Sequence, residues 1–260
     1  MRALVTFALK AEFSPWCSRY PFVPYEFENW ERRREFDLFK ANIGHDEVTV
    51  LLTGIGRESA LKAISSVPVG LHDVCISAGL AGALDSVLAH GVVVAARIAR
   101  ALQGDSQAAS DAGLLDLASS SGARMVDISL TSEKIISNVD EKESLSQQGD
   151  IVEMESAHIL ASAQQARVPV VVVRAISDAA DEDLPVDFQR ILDSRGRLKL
   201  GGLLREVGFS PYRIPQLIQF SRQSRAAARA LADFLDRFIP ALSQNYAKLV
   251  QSGLEEVSAT

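Results

Sequence analysis

Carboxyl groups at two places in the chain have the types and spacing that acid–base chemistry needs. Glu153 and Glu155 lie on either side of Met154, and Asp178 follows Ser177 at the end of an apolar run. No basic run lies next to this acidic group. Carboxyl groups gathered in one place perturb one another's titration, and such perturbations are typical of catalytic acids and bases. These residues are therefore candidates for a site that moves protons.

The same residues also have a purely structural interpretation, which their spacing leaves open. Glu155 and Asp178 could each cap a helix, because carboxylates are favourable at helix N-termini. They could also pair with Arg167 or Arg174, which lie close to them in sequence. In that case the acidic group would stabilise the fold and take no part in chemistry.

A buried strand is the element that must position Asp178. Residues 168–173 form an almost unbroken β-branched run, which suits a parallel strand covered on both faces. Ser177 and Asp178 follow at its carboxyl end, where ligands bind in open α/β sheets. Glu155 directly precedes a helical segment over residues 156–166. The site is therefore expected where this strand and this helix meet.

The remaining predicted elements are spread along the whole chain. Glycine-rich turns follow two of the predicted strands and bring the backbone close to the expected site. A long helical pattern lies near the C-terminus. Strands are predicted over residues 2–9, 48–52, 74–77 and 91–96, glycine-rich turns over residues 53–57 and 78–84, and helices over residues 58–64 and 216–242.

The composition indicates one ordinary globular α/β protein. The chain has 260 residues, a net charge of −6 and 47% hydrophobic residues, which supply an ample core and argue against a nucleic-acid partner. Cys17 and Cys75 form neither a disulfide framework nor a metal site, so a reducing cytoplasm is predicted. No apolar run is long enough to span a bilayer. The N-terminus is interpreted as a strand and not as a signal peptide.

Two ordered segments resemble the signatures of a known family. Residues 152–157, Val-Glu-Met-Glu-Ser-Ala, and residues 174–181, Arg-Ala-Ile-Ser-Asp-Ala-Ala-Asp, look like those of the purine/uridine phosphorylase superfamily. They are most similar to the branch that contains methylthioadenosine/S-adenosylhomocysteine nucleosidases. The resemblance implies a single-domain three-layer α/β/α fold with a central mixed, partly barrel-like sheet. It also implies a homo-oligomer, with a dimer favoured, and no metal or organic cofactor.

In such enzymes the N-glycosidic bond of a purine nucleoside is cleaved, and the resemblance gives the acidic residues their roles. Asp178 is the general acid that donates a proton towards N7 of the base, which requires burial or neighbouring Glu groups to keep it protonated. Glu155 accepts hydrogen bonds from the ribose hydroxyls, and Met154 packs on the sugar. Glu153 and Ser177 are expected to contact Glu155 and Asp178 and to hold them in position, without themselves being the catalytic groups.

Glu12 takes the role of the base that activates water. The resemblance places it at the end of the first strand, where the nucleosidases have an acid in a Met-Glu-Glu-Glu-like run, although Lys10 and Ala11 replace the acids before it. The Gly-Asp-Pro-type turn with which the phosphorylases help to bind phosphate is absent from this place. Water is therefore favoured over phosphate as the nucleophile.

Two departures from the family's pattern make the expected site more apolar. Residues 78–84 resemble the loop that lines the ribose and the nucleophile, with Gly79, Leu80 and Ala81 as its contacts. Leu80 stands where the family usually has Ser. Ile135 stands where an aromatic side chain normally stacks on the base. Both changes leave room for an unusual substrate.

The C-terminal part of the chain differs from the small nucleosidases. We divide the chain into a nucleosidase-like core, residues 1–184, and a C-terminal helical extension packed on the same domain, residues 185–260. The extension begins with Asp-Phe-x-Arg-Ile-Leu-Asp-x-x-Gly at residues 187–196, which resembles hopanoid-associated members of the superfamily. The resemblance implies a lipid-linked adenosine such as adenosylhopane as a candidate substrate.

The extension carries a basic amphipathic pattern with two interpretations. It could contact an anionic membrane, which would place the protein at the inner face of that membrane. The alternative is a docked helix with a solvated basic face. The basic residues concerned are Arg205, Arg213, Arg222, Arg225 and Arg229.

Two rival functions remain open at this stage. A nucleoside phosphorylase would break the same bond with phosphate in place of water. A non-catalytic nucleoside- or lipid-binding protein would keep the fold without turnover. The features that favour it are the replacements at Leu80, at Ile135 and at Val92, which stands where the family has Asp.

Overall fold

The computed structural model describes residues 1–26, 36–185 and 214–258 of the chain, with side chains up to residue 246. Ten strands form one sheet, and helices cover it. The strands are β1 (Arg2–Phe7), β2 (Val23–Pro24), β3 (Asp37–Ile43), β4 (Asp46–Leu52), β5 (Val74–Ala83), β6 (Val93–Ala101), β7 (Gln107–Ala109), β8 (Arg124–Thr131), β9 (Ile151–Glu153) and β10 (Val170–Asp178). The helices are α1 (Lys10–Cys17), α2 (Arg57–Ser65), α3 (Ala112–Ser120), α4 (Val139–Ser146), α5 (Ser156–Gln165) and α6 (Ile214–Ser258), with a 3₁₀ turn at Val69–Leu71.

Part of the sheet closes on itself. Its order runs β2-β3-β4-β1-β5, and β5 then pairs with both β9 and β10. From β9 the sheet continues through β8 and β6 back to β10. Parallel and antiparallel pairs are mixed around this ring. The predicted mixed, partly barrel-like sheet is thus confirmed.

β5 changes its neighbour part of the way along its length. Residues 74–77 pair with β1 on one side, whereas Gly82 and Ala83 pair with β9 on that side of the ring. β10 stays paired with β5 over almost its whole length. After Ser77, β5 no longer pairs with β1, and β9 pairs with it only from Gly82. The gap between these pairings, at the carboxyl ends of the parallel strands, is part of the cavity described below.

Helices cover both faces of the sheet and bury two apolar layers. On one face Phe7, Phe13 and Trp16 pack with Leu231 and Phe234 of α6. On the other face the buried sides of α2 and α5 pack together against the strands. All nine residues of β10 are buried, as expected for a strand covered on both faces. The predicted three-layer α/β/α arrangement is confirmed.

α6 is docked on the core through its middle turns. Asp236 accepts hydrogen bonds from Trp16 Nε1 (2.9 Å) and Tyr20 Oη (3.0 Å). Arg222, Arg225 and Arg229 of the same helix are exposed, whereas Leu231, Phe234 and Phe238 are buried. Exposed arginines are expected both for a solvated basic face and for a membrane contact, so both interpretations of the extension stay predictions. Arg205, Arg213 and the motif at residues 187–196 lie outside the described residues.

Several predicted boundaries were wrong. Residues 78–84 are largely not a loop, because pairing with β10 continues the strand β5 to Ala83. The predicted helix over residues 216–242 is the middle of α6, Ile214–Ser258, which passes through Pro240 without ending. The strand predicted over residues 91–96 begins at Val93 and continues to Ala101. Within the part of the chain that the structure describes, no helix is long and apolar enough to cross a membrane.

Candidate active site

A cavity of about 440 Å³ opens where β1, β5 and β10 end. Its walls come from β5, β9 and β10, from the start of α1, and from α6 through Phe220. All but one of the predicted site residues line this cavity: Glu12, Leu80, Ala81, Ile135, Glu153, Met154, Glu155, Ser177 and Asp178. Gly79 is the exception, since it lies behind Glu12.

Glu12 lies in the first turn of α1 and not at the strand end where it was expected, because β1 stops at Phe7. Its Oε2 accepts a hydrogen bond from the Leu9 backbone N–H (3.0 Å), and Oε1 accepts one from Leu80 N–H (3.1 Å). A Cβ on Gly79 would lie 3.4 Å from Glu12 Oε1, an ordinary contact distance, so the carboxyl group lies directly against β5 at this residue. Burial raises the pKa of Glu12 above its ordinary value.

Glu155 is held by a single backbone hydrogen bond at the start of α5. The N–H of Gly56 donates to Glu155 Oε1 (2.8 Å), and Gly56 itself has a φ of 84°, which favours glycine. The glycine-rich turn therefore offers a backbone N–H to a side chain of the protein. Burial and the nearby charge of Glu153 raise the pKa of Glu155 to about 8. Met154 lies beside it on the cavity wall.

Glu153 has the opposite environment although it lies only two residues away. Its Oε2 accepts hydrogen bonds from Arg174 Nη2 (2.8 Å) and from the backbone N–H groups of Glu155 (2.9 Å) and Ser156 (2.8 Å). Burial alone would raise the pKa of Glu153, but the Arg174 guanidinium and the Thr131 hydroxyl hold it below the ordinary value. The helix cap and arginine partner considered for Glu155 thus belong to Glu153.

Arg174 joins this cluster from inside the sheet. Its guanidinium also donates to the Ser77 carbonyl (2.6 Å) and to Ser156 Oγ (2.7 Å). The side chains of Arg174 and Glu153 are 2% and 1% exposed, so the pair is screened from water. A buried pair of this kind tolerates poorly the loss of one partner, because the other charge would remain unpaired.

Asp178 is the last residue of β10 and has both oxygens occupied. Ser177 Oγ donates to Oδ1 (2.7 Å), and Lys142 Nζ lies 2.7 Å from Oδ2. A Cβ on Gly82 would lie 2.8 Å from Oδ2, so only glycine leaves the carboxyl group in this place. Asp178 is buried, as expected, but its charged partner is Lys142 and not one of the Glu residues.

The sequence reasoning missed two contributors to the site. Lys142 belongs to the polar segment Val-Asp-Glu-Lys-Glu-Ser-Leu-Ser of α4, which carries no motif. Phe220 belongs to the amphipathic helix α6, and no sequence motif marks it as a residue of the cavity wall. Ile135 does line the cavity, so an aliphatic side chain stands on this wall. In the ranges 1–26, 36–185 and 214–258, no group of three His, Cys, Asp or Glu residues lies close enough to hold a metal ion.

Comparison with known proteins gives this geometry a context. A sequence model described as the phosphorylase superfamily matches residues 2–207. The structure is similar to 5′-methylthioadenosine/S-adenosylhomocysteine nucleosidase from Neisseria meningitidis in complex with methylthio-immucillin-A, with a TM-score of 0.69, 18% identity and coverage of 92% of this chain and 98% of that one. It is also similar to futalosine hydrolase of Helicobacter pylori strain 26695, with a TM-score of 0.69, 16% identity and coverage of 92% of this chain and 97% of that one. For the Campylobacter jejuni 5′-methylthioadenosine/S-adenosylhomocysteine nucleosidase, the TM-score is 0.69 and the identity is 17%, with coverage of 92% of this chain and 98% of that one. At such identities the likeness is one of fold.

Proposed function

The chain belongs to the phosphorylase superfamily, and on that premise we propose that it cleaves the N-glycosidic bond of a purine nucleoside by hydrolysis. One observation carries the proposal: Glu12, Glu155 and Asp178 all line a single cavity at the carboxyl ends of the parallel strands. Cleavage of this bond needs a proton for the leaving base, stabilisation of an oxocarbenium-like sugar, and an activated nucleophile. Each requirement is matched by one of these carboxyl groups.

On the base side, Asp178 donates a proton towards N7 as the bond to the sugar breaks. Ser177 Oγ holds one carboxyl oxygen (2.7 Å), so the group has a fixed orientation. General-acid catalysis of this kind contributes roughly 10²–10⁴-fold to the rate. Phe220 and Ile135 supply apolar walls of the same cavity, against which a planar base can pack.

On the sugar side, Glu155 binds the ribose hydroxyls, and Met154 packs on the ring. With a pKa of about 8, Glu155 is largely protonated at neutral pH before a nucleoside binds. Hydroxyl groups that donate to it favour its ionised form. Nucleoside binding therefore favours release of a proton from Glu155, and the resulting negative charge stabilises the cationic sugar in the transition state.

Glu12 orients and deprotonates the attacking water. Gly79, behind Glu12, and Gly82, behind Asp178, are three residues apart on the extended strand β5, which separates these two backbone positions by about 10 Å. A nucleoside fits between them with its base on one carboxyl group and its sugar near the other. Arg57, the cation that ends the glycine-rich turn of residues 53–57, pairs with Glu133 (3.1 Å) and is not among the residues of the cavity wall, so it is not placed to bind a phosphate there. These features favour water as the nucleophile.

The proposal extends to the substrate class and to the setting of the protein. We infer a nucleoside with a large apolar 5′ substituent, such as a lipid-linked adenosine of the hopanoid-associated branch. Ile214 and Ile218, at the start of α6, are 41% and 48% exposed and lie on the helix that supplies Phe220 to the cavity. We further propose a cytoplasmic homodimer that contacts the inner face of the membrane, built from the core of residues 1–184 and the extension of residues 185–260.

The test is release of adenine from methylthioadenosine, adenosine and a long-chain 5′-alkyl adenosine, each with and without phosphate. We expect phosphate-independent release, fastest from the alkyl compound. Asp178→Asn and Glu12→Gln should each lower kcat by about 100-fold or more. Glu58→Gln, on the exposed side of α2, is the matched control and should keep full activity.

Other outcomes would separate the rival functions. Release that depends on phosphate would make the enzyme a phosphorylase and would remove Glu12 from the catalytic residues. Binding of these nucleosides without release, in a protein whose unfolding transition is normal, would indicate a non-catalytic binding protein.

A further inference from the structure

Lys142 is the buried lysine that none of the proposed roles uses. It lies on α4, a helix of eight residues in which it is the one buried side chain, and its exposure is 0%. Lysine is almost never fully buried unless its charge is paired. The ammonium group has three donors, and each has an acceptor: Asp178 Oδ2 at 2.7 Å, the Ala179 carbonyl at 2.6 Å and the Glu182 carbonyl at 2.8 Å.

The geometry places Lys142 behind Asp178 as seen from the cavity. Asp178 lines the cavity, whereas Lys142 is not part of its wall. A ligand in the cavity therefore meets the carboxyl group first, and the ammonium group touches the ligand only through it. One oxygen of Asp178 faces the Ser177 hydroxyl, and the other faces the Lys142 ammonium group. Both partners are donors, so both carboxyl oxygens of Asp178 act as acceptors.

The other charged groups around this pair have partners of their own. Glu182 and Asp183, on the segment after β10, pair with His90 Nε2 (2.8 Å) and with the Val139 N–H (2.8 Å), respectively. On α4 itself, Glu141 pairs with Lys134, and Asp140 and Glu143 are exposed. On β9 and β10, Glu153 pairs with Arg174, while Asp181 is exposed. Glu155 lies on the same cavity wall and is held by Gly56. Lys142 is therefore the described cation that is paired with Asp178.

Resting on the proposed hydrolysis, we propose that Lys142 is a positioning residue that supplies the proton which Asp178 passes to the departing base. As the bond from the sugar carbon to the base nitrogen breaks, its electron pair stays on the base. The Lys142 ammonium gives one proton to Asp178, and Asp178 gives one proton to N7. Water forms the new bond to the sugar carbon and loses a proton to Glu12. The products are neutral base, free sugar, neutral Lys142 amine, ionised Asp178 and protonated Glu12, and exchange with water resets Lys142 and Glu12.

A purely structural role for Lys142 makes different predictions. Such a lysine would only fix the segment that includes Ala179 and Glu182, and an uncharged side chain with suitable donors would replace it. Its loss would lower activity by the same factor at every pH. The loss would also multiply with the loss caused by removing Asp178, because the two residues would act independently.

The experiment compares Lys142→Met, Lys142→Gln and Asp178→Asn, and combines Lys142→Met with Asp178→Asn. We expect each lysine variant to lose about 100-fold in kcat, with KM changed less than about threefold. The double variant should fall within about threefold of Asp178→Asn alone, because Lys142 acts only through Asp178. The double variant leaves neither charge buried without its partner, so its fold is the least perturbed.

The pH profile provides the second readout. At low pH, Asp178 in Lys142→Gln can take its proton directly from solvent through the cavity, so the loss should be at least about tenfold smaller at pH 5 than at pH 8. Thermal unfolding checks that each variant is folded, and Lys62→Met, an exposed lysine on α2, is the matched control. Full activity in Lys142→Gln, multiplicative losses in the double variant, or an equal loss at every pH would each overturn the role of Lys142. A wild-type protein that releases no base would instead overturn the proposed function itself.

Discussion

Replacing Glu155 by Gln should change activity and stability in opposite directions at high pH, and so separate the two. Glu155 is buried, and within the described part of the chain its carboxyl group accepts a hydrogen bond from the Gly56 N–H. Glutamine keeps an oxygen that accepts this hydrogen bond, but it cannot ionise. The variant should therefore preserve the local structure while it removes the charge that the ribose hydroxyls and the cationic sugar need. We expect a loss of about 100-fold or more in kcat/KM.

The magnitude of the stability effect follows from the raised pKa. Burial, together with the charge of Glu153, moves the pKa of Glu155 from 4.5 to about 8. A carboxyl group whose pKa is raised by folding contributes stability that is fully present below its unfolded value, and this stability is lost as the pH rises through the folded value. One pKa unit corresponds to about 1.4 kcal/mol. Between pH 6 and pH 8 the wild-type protein should therefore lose about 2 kcal/mol of unfolding free energy through Glu155.

The assay is urea unfolding of the wild type and of Glu155→Gln at several pH values from 6 to 8. The free energy of unfolding of the variant should fall less steeply with pH, by about 2 kcal/mol across this range. The variant should thus be relatively more stable at pH 8 although its activity is lower. Glu58→Gln is a suitable control, because Lys62 lowers the pKa of Glu58 and that group does not titrate in this range. Parallel curves for the wild type and Glu155→Gln would refute the reasoning.

Three further predictions concern the neighbouring groups. Gly82→Ala places a Cβ 2.8 Å from Asp178 Oδ2 and should lower kcat by about 100-fold in a steady-state assay, because the carboxyl group must move. Arg174→Met leaves the buried charge of Glu153 unpaired and should lower the free energy of urea unfolding by about 3–5 kcal/mol. Because burial raises the pKa of Glu12 and the ionised form is the base, kcat at saturating nucleoside should fall as the pH drops through a value above 4.5, and Glu12→Gln should abolish this acidic limb.

Controls for these predictions come from the same fold. Gly70→Ala meets no atom closer than 3.9 Å and should keep full activity. If Gly82→Ala were equally active, Asp178 would not depend on the space that this glycine leaves. An Arg174→Met protein as stable as the wild type would show that the Glu153 charge is satisfied without the guanidinium.

Local sequence patterns were sufficient for much of the fold and for the membership of the site. The β-branched run before Asp178 predicted a strand buried on both faces, and the structure has that strand. Such a pattern is local and depends on few neighbours, so it can be read from sequence. The resemblance to the family predicted that Glu12, Glu155 and Asp178 belong to one site, and all three line one cavity. Strand ends were less well predicted, as at Ala83, because pairing with another strand decides where a strand stops.

Glu153 and Glu155 show most clearly what the sequence could not decide. They are the same residue type two positions apart, yet the pKa of Glu153 is lowered and that of Glu155 is raised. The difference arises because β10 brings Arg174 to Glu153 and the start of α5 adds two backbone N–H groups. Glu155 instead accepts a hydrogen bond from the Gly56 N–H of a turn and lies near the charge of Glu153.

The sequence by itself therefore predicted which carboxyl groups line the cavity and most of the elements that hold them. The tertiary structure alone decided the charge environment of each group, including the ion pair between Asp178 and Lys142 on a separate helix. The physical reason is that burial and pairing depend on residues far apart in the chain, and within a buried site these two effects outweigh the identity of the side chain in setting its protonation.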